Sequence, residues 1–141
     1  MSASLSIEQG IQNFWAGVGM AAPHEWPEAL WPDRWVWTEE LGGFASSGEM
    51  PCTAREEKYR STFRMRSTGE GWTEQGRKEA LRQRDTCIEA LEADGITFGS
   101  TVDGIDHPIE YTKVTPINVV GPSGPVAYWE WTIDLTVLTS R

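Results

Sequence analysis

Two histidines, each beside a carboxylate, are the residues of this sequence best suited to bind a metal or transfer a proton. His24 precedes Glu25 and His107 follows Asp106, and nearby prolines predict that both histidines lie in loops. A metal site needs several ligands at suitable spacing, and neither histidine has such ligands around it. We therefore expect two surface histidines, no metal site and no cofactor.

Neither the cysteines nor the carboxylates form a recognisable catalytic motif. Cys52 and Cys87 lack the paired spacing of a metal or redox site, so we expect free thiols in a reducing compartment. The chain has no glycine-rich phosphate loop and no nucleophile elbow, and we expect no enzyme. A hydrolase would need two carboxylates to converge in a cleft, whereas we expect solvated charges. The carboxylates concerned are Glu39, Glu40, Glu56, Glu57, Asp103, Asp106 and Glu110.

Eight tryptophans in 141 residues are far more than a chain of this length ordinarily contains. Three of them, Trp26, Trp31 and Trp72, lie in predicted connectors, where an aromatic ring either seals the core edge or anchors a partner or a sugar. The other five fall on predicted apolar faces, where we expect an aromatic core: Trp15, Trp35, Trp37, Trp129 and Trp131.

The formal net charge of −9 argues against a protein that grips nucleic acid, because such domains present a basic surface to phosphate. An acidic wall can still let a DNA duplex move past without adhering. No apolar run approaches the roughly 20 residues of a membrane span. The first basic residue is Arg34, so we expect a soluble protein without an export signal.

Apolar residues at intervals of three and four predict two amphipathic helices that could position these groups. The first is expected to begin at a capping box formed by Ser6 and Gln9 and to reach about Met20. Its apolar stripe comprises Ile7, Ile11, Phe14, Trp15 and Val18. The second is expected over residues 73–94, before the glycine at position 95. Its stripe comprises Ala80, Leu81, Cys87, Ile88 and Leu91, with Lys78, Arg82 and Glu89 left for solvent.

Alternating apolar and polar residues predict strands over residues 34–41, 55–67, 109–115, 118–120 and 126–139. In the first of these, Trp35 and Trp37 share one face. In the strand over 109–115, we expect Lys113 on the face of Ile109 and Val114 on the opposite face. The turn sequence GPSGP predicts that the last two strands form a hairpin.

The charges on two of these strands are complementary. Arg60, Arg64 and Arg66 make the wet face of one strand basic, and Glu130 and Asp134 make that of the last strand acidic. Opposite charges across neighbouring strands are favourable, so we expect these two strands to be neighbours and the last one to be central. The predicted fold is α+β, a mainly antiparallel sheet with two amphipathic helices packed on one face. It forms a single domain over residues 1–141 with an exposed loop over 42–53.

Three segments carry a resemblance to a known family: EEKYRSTFRMRS, EQGRKEALRQRDTCIEALEADG and VAYWEWTIDLTVLTSR. In layout, and most closely from Glu56 to Gly104, the chain resembles the tail terminator proteins of long-tailed, non-contractile bacteriophages. The resemblance implies a hexameric ring at the head-proximal end of the tail tube. Such a ring stops tube polymerisation, contacts the tail tube protein and the neck or head-completion proteins, and lets DNA pass without specific binding. It implies a structural virion protein with no catalytic residue to assign and no role at a membrane.

Two surfaces are candidates for contacts in such an assembly. Arg60, Arg64 and Arg66, with Glu130 and Asp134, form a candidate subunit interface in which the arginines of one subunit face an acidic patch of the next. The alternative is that these arginines pair with Glu130 and Asp134 on a solvated sheet face. The second surface is the loop over 42–53, where Gly43, Phe44 and Met50 form a candidate site for docking to the tube.

Three other functions remain open at this point. The first is another phage neck, head-completion or tail-tube subunit, which would have a similar size and a similar combination of sheet and helices. The second is a carbohydrate-binding module that stacks sugars on Trp26, Trp31 and Trp72. The third is a small hydrolase whose carboxylates converge only in the folded chain.

Overall fold

The computed structural model describes residues 3–23, 33–42, 54–66, 74–93, 97–98, 107–120 and 128–140. The elements are α1 (Ala3–Ala16), β1 (Arg34–Gly42), β2 (Ala54–Arg66), α2 (Glu74–Ala93), β3 (Thr97–Phe98), β4 (His107–Val114), β5 (Asn118–Val120) and β6 (Tyr128–Ser140). The structure combines two helices with an antiparallel sheet, which confirms the predicted α+β class.

The described strands form one sheet in the order β1-β2-β6-β4-β3, and β5 also pairs with β6. Every pair between these strands is antiparallel. β6 lies between β2 on one side and β4 and β5 on the other, which confirms the predicted central position. The pairing of β5 with β6 confirms the predicted hairpin, and the pairing of β2 with β6 confirms that the basic and acidic strands are neighbours.

Both helices pack on one face of this sheet and close a single core. Trp15 of α1 meets Phe63 of β2 edge to face at 4.8 Å between ring centroids, and Phe63 stacks on Trp131 of β6 at 5.1 Å. Because a fully buried ring fills a large volume, replacing Trp131 by alanine would cost roughly 3–5 kcal/mol. The helices contribute Ile7, Ile11, Trp15, Ala80, Cys87 and Leu91 to the core, and Phe14 and Ile88 pack against it. Both predicted stripes are confirmed at these positions, whereas Leu81 is not among the residues of this core.

The start of α1 differs from the prediction. The helix begins at Ala3, so Ser6 lies within it and is not the N-cap. Burial of Ile7 and Ile11 against the sheet stabilises the helix, and most helical stability in proteins comes from such packing rather than from local signals. The helix ends at Ala16, before the predicted Met20, because a turn follows in which Gly19 has a φ of 91°.

A β-bulge in β4 overturns the predicted faces of its last residues. Tyr111 pairs with Leu135, but the next pair joins Lys113 to Asp134, so Thr112 is the extra residue. As a result Lys113 is exposed on the face of Asp134, and Val114 packs against the core. The period-two pattern fails here because a bulge shifts the alternation by one residue.

Candidate functional site

The face of the sheet away from the helices carries the predicted interface residues, and we call it the charged face: Arg60, Arg64 and Arg66 of β2 with Glu130 and Asp134 of β6. In the β2–β6 register, Arg60 lies opposite Asp134 and Arg64 lies opposite Glu130. The antiparallel pairing therefore brings these four side chains together in two opposed pairs.

Arg60 and Asp134 form a two-point ion pair. The Arg60 Nε and one terminal nitrogen donate to the two carboxylate oxygens of Asp134 at 2.8 and 3.2 Å. This hydrogen bonding, together with the carboxylate charge, raises the pKa of Arg60 further above its ordinary value. The Arg60 side chain is 40% exposed, so solvent screens the pair and its contribution to stability is at most about 1 kcal/mol.

Arg64 is held from two sides. Its Nε donates to Oε2 of Glu130 at 2.8 Å, and its guanidinium carbon lies 5.2 Å from the centroid of the Trp35 ring. Trp35 is only 4% exposed and meets the ring of Tyr128 edge to face at 6.3 Å. The arginine is therefore fixed in position by a carboxylate and an aromatic ring of its own chain.

The position of Trp35 corrects a prediction. Val36 is buried in the core opposite Phe63, so the face that carries Trp35 and Trp37 points away from the helices. These two tryptophans belong to the charged face and not to the aromatic core beneath the helices, whereas Trp15 and the tryptophans of β6 are core residues as predicted.

Arg66 completes the charged face at the end of β2. Its Nε lies 3.5 Å from Oδ1 of Asp33, and its backbone N–H donates to the Asp33 carbonyl at 2.7 Å. Each of the three predicted interface arginines therefore has a carboxylate partner within the chain. The structure brings all five predicted interface residues onto one face, and a contact between subunits through them stays a prediction.

The outer edge of β1 is occupied by backbone and side-chain groups from the N-terminal part of the chain. Val36 N–H donates to the Ala21 carbonyl at 2.9 Å, and the Val36 carbonyl accepts from the Gln12 side chain at 3.0 Å. Further along, Glu40 N–H donates to Glu8 Oε1 at 3.1 Å. Burial is the main cause that raises the pKa of Glu8 above its ordinary value, and the bond from Glu40 partly offsets it. These contacts limit the backbone groups that another strand could reach at this edge.

A chain of hydrogen bonds crosses the core between α1 and the sheet. The Gln12 amide nitrogen donates to carbonyls, among them that of Pro23 at 2.8 Å, so its oxygen accepts from the Thr38 hydroxyl at 2.9 Å. Thr38 and Ser61 hydroxyls are 2.8 Å apart, and Trp15 Nε1 donates to Ser61 Oγ at 2.9 Å. Because the Thr38 hydroxyl donates its one proton to Gln12, it must accept a hydrogen bond from Ser61. Each of these four side chains therefore has a hydrogen-bond partner for its polar group.

Sequence reasoning missed a buried carboxylate. Glu57, which we expected to be solvated, is wholly buried, and its Oε2 accepts a hydrogen bond of 2.6 Å from the Tyr59 hydroxyl. The signal was present in the sequence, because Glu57 stands two residues before Tyr59 and shares its inward face.

Of the remaining candidate histidines and cysteines, the structure describes Cys87 and the backbone of His107. Cys87 is buried in α2, and burial raises the pKa of its thiol to about 12. His107 is the first residue of β4 and does not lie in a loop as predicted. Across the described ranges there is no group of three or more His, Cys, Asp or Glu residues that could hold a metal ion, and neither helix could span a membrane. The predicted loop residues Gly43, Phe44 and Met50 lie outside the described residues, as do His24, Cys52, Trp26, Trp31 and Trp72.

No protein-family model matches the chain, and no curated protein matches it.

Proposed function

We propose that the chain is a structural virion protein, a tail terminator whose copies form a hexameric ring at the head-proximal end of a phage tail tube. The ring stops tube polymerisation and joins the tail to the head connector. The observation that carries the proposal is the arrangement of the fold, in which both helices cover one face of an antiparallel sheet. It agrees with the layout implied by the resemblance of the strand EEKYRSTFRMRS and the helix that follows it.

The charge of the chain suits this role. In the proposed ring each copy contacts other copies, the tail tube protein and a neck or head-completion protein, while DNA passes through the channel. A formal charge of −9 per copy repels phosphate, so a ring of these chains would let the duplex move without binding it.

The charged face would contribute little net charge to a contact between copies. Arg60 and Arg64 already pair with Asp134 and Glu130, so a partner would meet neutralised ion pairs rather than a basic patch. The variant Arg64→Glu breaks one pair, and the swap Arg64→Glu with Glu130→Arg restores it within the chain. If this face is the ring contact through Arg64, both variants should fail to form rings. If the swap variant forms rings and Arg64→Glu does not, the ion pair acts within the subunit.

The segment between β1 and β2, which the sequence predicts to be an exposed loop, is the proposed contact with the tube. It contains two large apolar residues, Phe44 and Met50, among glycine and serine, a composition suited to a segment that docks on a partner. We expect Phe44→Ser with Met50→Ser to abolish tube capping while rings still form. Ser46→Ala with Ser47→Ala, in the same loop, is the matched control and should cap tubes normally.

Electron microscopy of negatively stained protein, alone and mixed with tail tubes of the parent phage, tests the proposal. Sixfold rings with a central hole, or caps at one end of each tube, are the expected result. Protein that ignores tube ends under conditions where tubes are intact would contradict the terminator role. Rings that bind the isolated head connector but not the tube would instead indicate a neck or head-completion protein.

A further inference from the structure

The solvent side of α2 carries a straight row of charges, which we call the α2 stripe: Lys78, Arg82, Asp85, Glu89 and Glu92. Their spacing of four, three, four and three residues places them along one side of the helix. All five are exposed, whereas Gly76, Ala80, Cys87 and Leu91 on the opposite side are buried. The stripe therefore faces away from the core.

The charges along the α2 stripe are only partly balanced within the helix. Lys78 and Arg82 are like charges four residues apart, as are Asp85 and Glu89, and such pairs destabilise a helix, whereas Arg82 and Asp85 are opposite charges three residues apart. The basic half also lies toward the N-terminus and the acidic half toward the C-terminus, which is opposite to the order that the helix dipole favours. The last turn of α2 contains no basic residue.

Two charged residues next to the α2 stripe have partners within the chain, whereas the first four members of the stripe form no ion pair with any described residue. Arg77 donates to Glu74 at 2.6 Å, and Arg84 donates to the Thr115 carbonyl at 3.0 Å. In the part of the chain that the structure describes, Lys78, Arg82, Asp85 and Glu89 form no ion pair. Their charges remain available to a partner.

The α2 stripe is complementary to itself when two copies of α2 run antiparallel. In that arrangement Lys78 of one copy meets Glu89 of the other while Arg82 meets Asp85, and the two-fold axis repeats both pairs. Lys78 and Arg82 have the same spacing of four residues as Asp85 and Glu89, so one alignment pairs all eight of these side chains in the two copies. A two-fold contact of this kind uses the same patch on both copies.

We propose that the α2 stripe is a self-complementary contact that joins two copies of this chain through antiparallel α2 helices. The contact goes beyond the proposed function, because a hexameric ring needs a heterologous contact and therefore another surface. It pairs free copies, or two rings face to face. Since the contact is small and ionic, association should be weak, roughly micromolar to millimolar, and should weaken with salt.

Sedimentation equilibrium of the purified chain, from about 10 µM to 0.5 mM in about 50 mM salt, tests the contact. Wild type should double in mass as its concentration rises, from monomer to dimer or from one ring to two rings face to face. Lys78→Glu with Arg82→Glu should raise the dimer dissociation constant about tenfold or more. Adding Asp85→Lys and Glu89→Lys to that variant reverses the whole stripe and should restore dimers. An equimolar mixture of the Lys78→Glu/Arg82→Glu variant with a separate Asp85→Lys/Glu89→Lys variant should form heterodimers. Circular dichroism checks that every variant is folded.

Lys58→Glu with Lys113→Glu makes the same change in net charge at exposed sites away from α2 and is the matched control. It should dimerise like wild type. Wild type that stays monomeric at 0.5 mM, reversal variants that dimerise normally, or a control that loses dimers equally would each overturn the proposal. Tube capping is scored separately, so a chain that dimerises through α2 and never caps tubes would contradict only the terminator function.

Discussion

Ser61 links two parts of the hydrogen-bond chain in the core, so removing its hydroxyl tests whether that chain holds α1 on the sheet. Ser61 Oγ accepts from Trp15 Nε1 at 2.9 Å and lies 2.8 Å from Thr38 Oγ1. In Ser61→Ala the indole N–H loses its acceptor in a place where Trp15 and Ser61 are both fully buried. Water cannot replace the lost partner without entering the core.

The expected loss of stability comes mainly from the Trp15 indole N–H, which is left without a hydrogen-bond acceptor. A buried donor left without its partner costs about 1–3 kcal/mol, and deleting a single oxygen leaves only a small cavity. We therefore expect Ser61→Ala to lower the free energy of unfolding by about 2 kcal/mol. For a domain of this size that corresponds to a fall in melting temperature of roughly 5–10 °C.

Urea titration followed by tryptophan fluorescence and by circular dichroism measures the loss. Thr62→Val is the matched control, because Thr62 is the next residue of β2, points to the opposite face and is only half-buried. It should change stability by less than about 0.5 kcal/mol. The double variant of Ser61→Ala with Thr38→Val should lose less than the sum of the single variants, since the two hydroxyls bond each other. Stability of Ser61→Ala within about 0.5 kcal/mol of wild type would refute the reasoning.

Two further predictions concern Glu8 and Cys87, whose pKa values are raised by burial. Burial raises the folded-state pKa of Glu8 above 4.5, so the fold favours the protonated acid, and stability from this group is lost as pH rises through the folded-state pKa. Glu8→Gln should therefore be more stable than wild type at pH 7, by less than about 1 kcal/mol after screening. Urea titrations should show no such gain below pH 4.5, and an equal gain at both pH values would contradict this reasoning. Because burial raises the pKa of Cys87 to about 12, Ellman's reagent at neutral pH should label it in a Cys52→Ser chain only on unfolding. Immediate labelling of the folded chain would show that the thiol is accessible.

Much of the fold could be predicted from local pattern because its strongest signals are long. β6 alternates from Trp129 to Val137 without interruption, and every second residue in that range is buried. A helix such as α2, which is 20 residues long, repeats its apolar stripe from Ala80 to Leu91, so small local exceptions do not obscure it. The opposite charges on β2 and β6 also predicted that these two strands, which are far apart in sequence, pair with each other, and the observed register confirms this pairing.

What the sequence could not decide was which face of a short strand the helices cover. β1 has apolar residues on both faces, with Trp35 and Trp37 on one and Val36 on the other. Size alone favoured the tryptophans for the core. The register decides otherwise, because Val36 lies opposite Phe63 and Trp35 lies opposite Arg64. The bulge in β4 could not be predicted either, since no local signal marks Thr112 as the extra residue.

The pairing of charges limits which surfaces can contribute charge to an assembly. Core packing covers one face of the sheet, and Gln12 and Glu8 occupy positions along the edge of β1. On the charged face, a partner that displaced Glu130 from Arg64 would have to replace a bond of 2.8 Å and gain little in exchange. Lys78 and Asp85 carry no such internal bond in the described structure, so their attraction to a partner is not offset by a lost contact. Charge-driven assembly of this chain is therefore expected to use α2 before it uses the sheet.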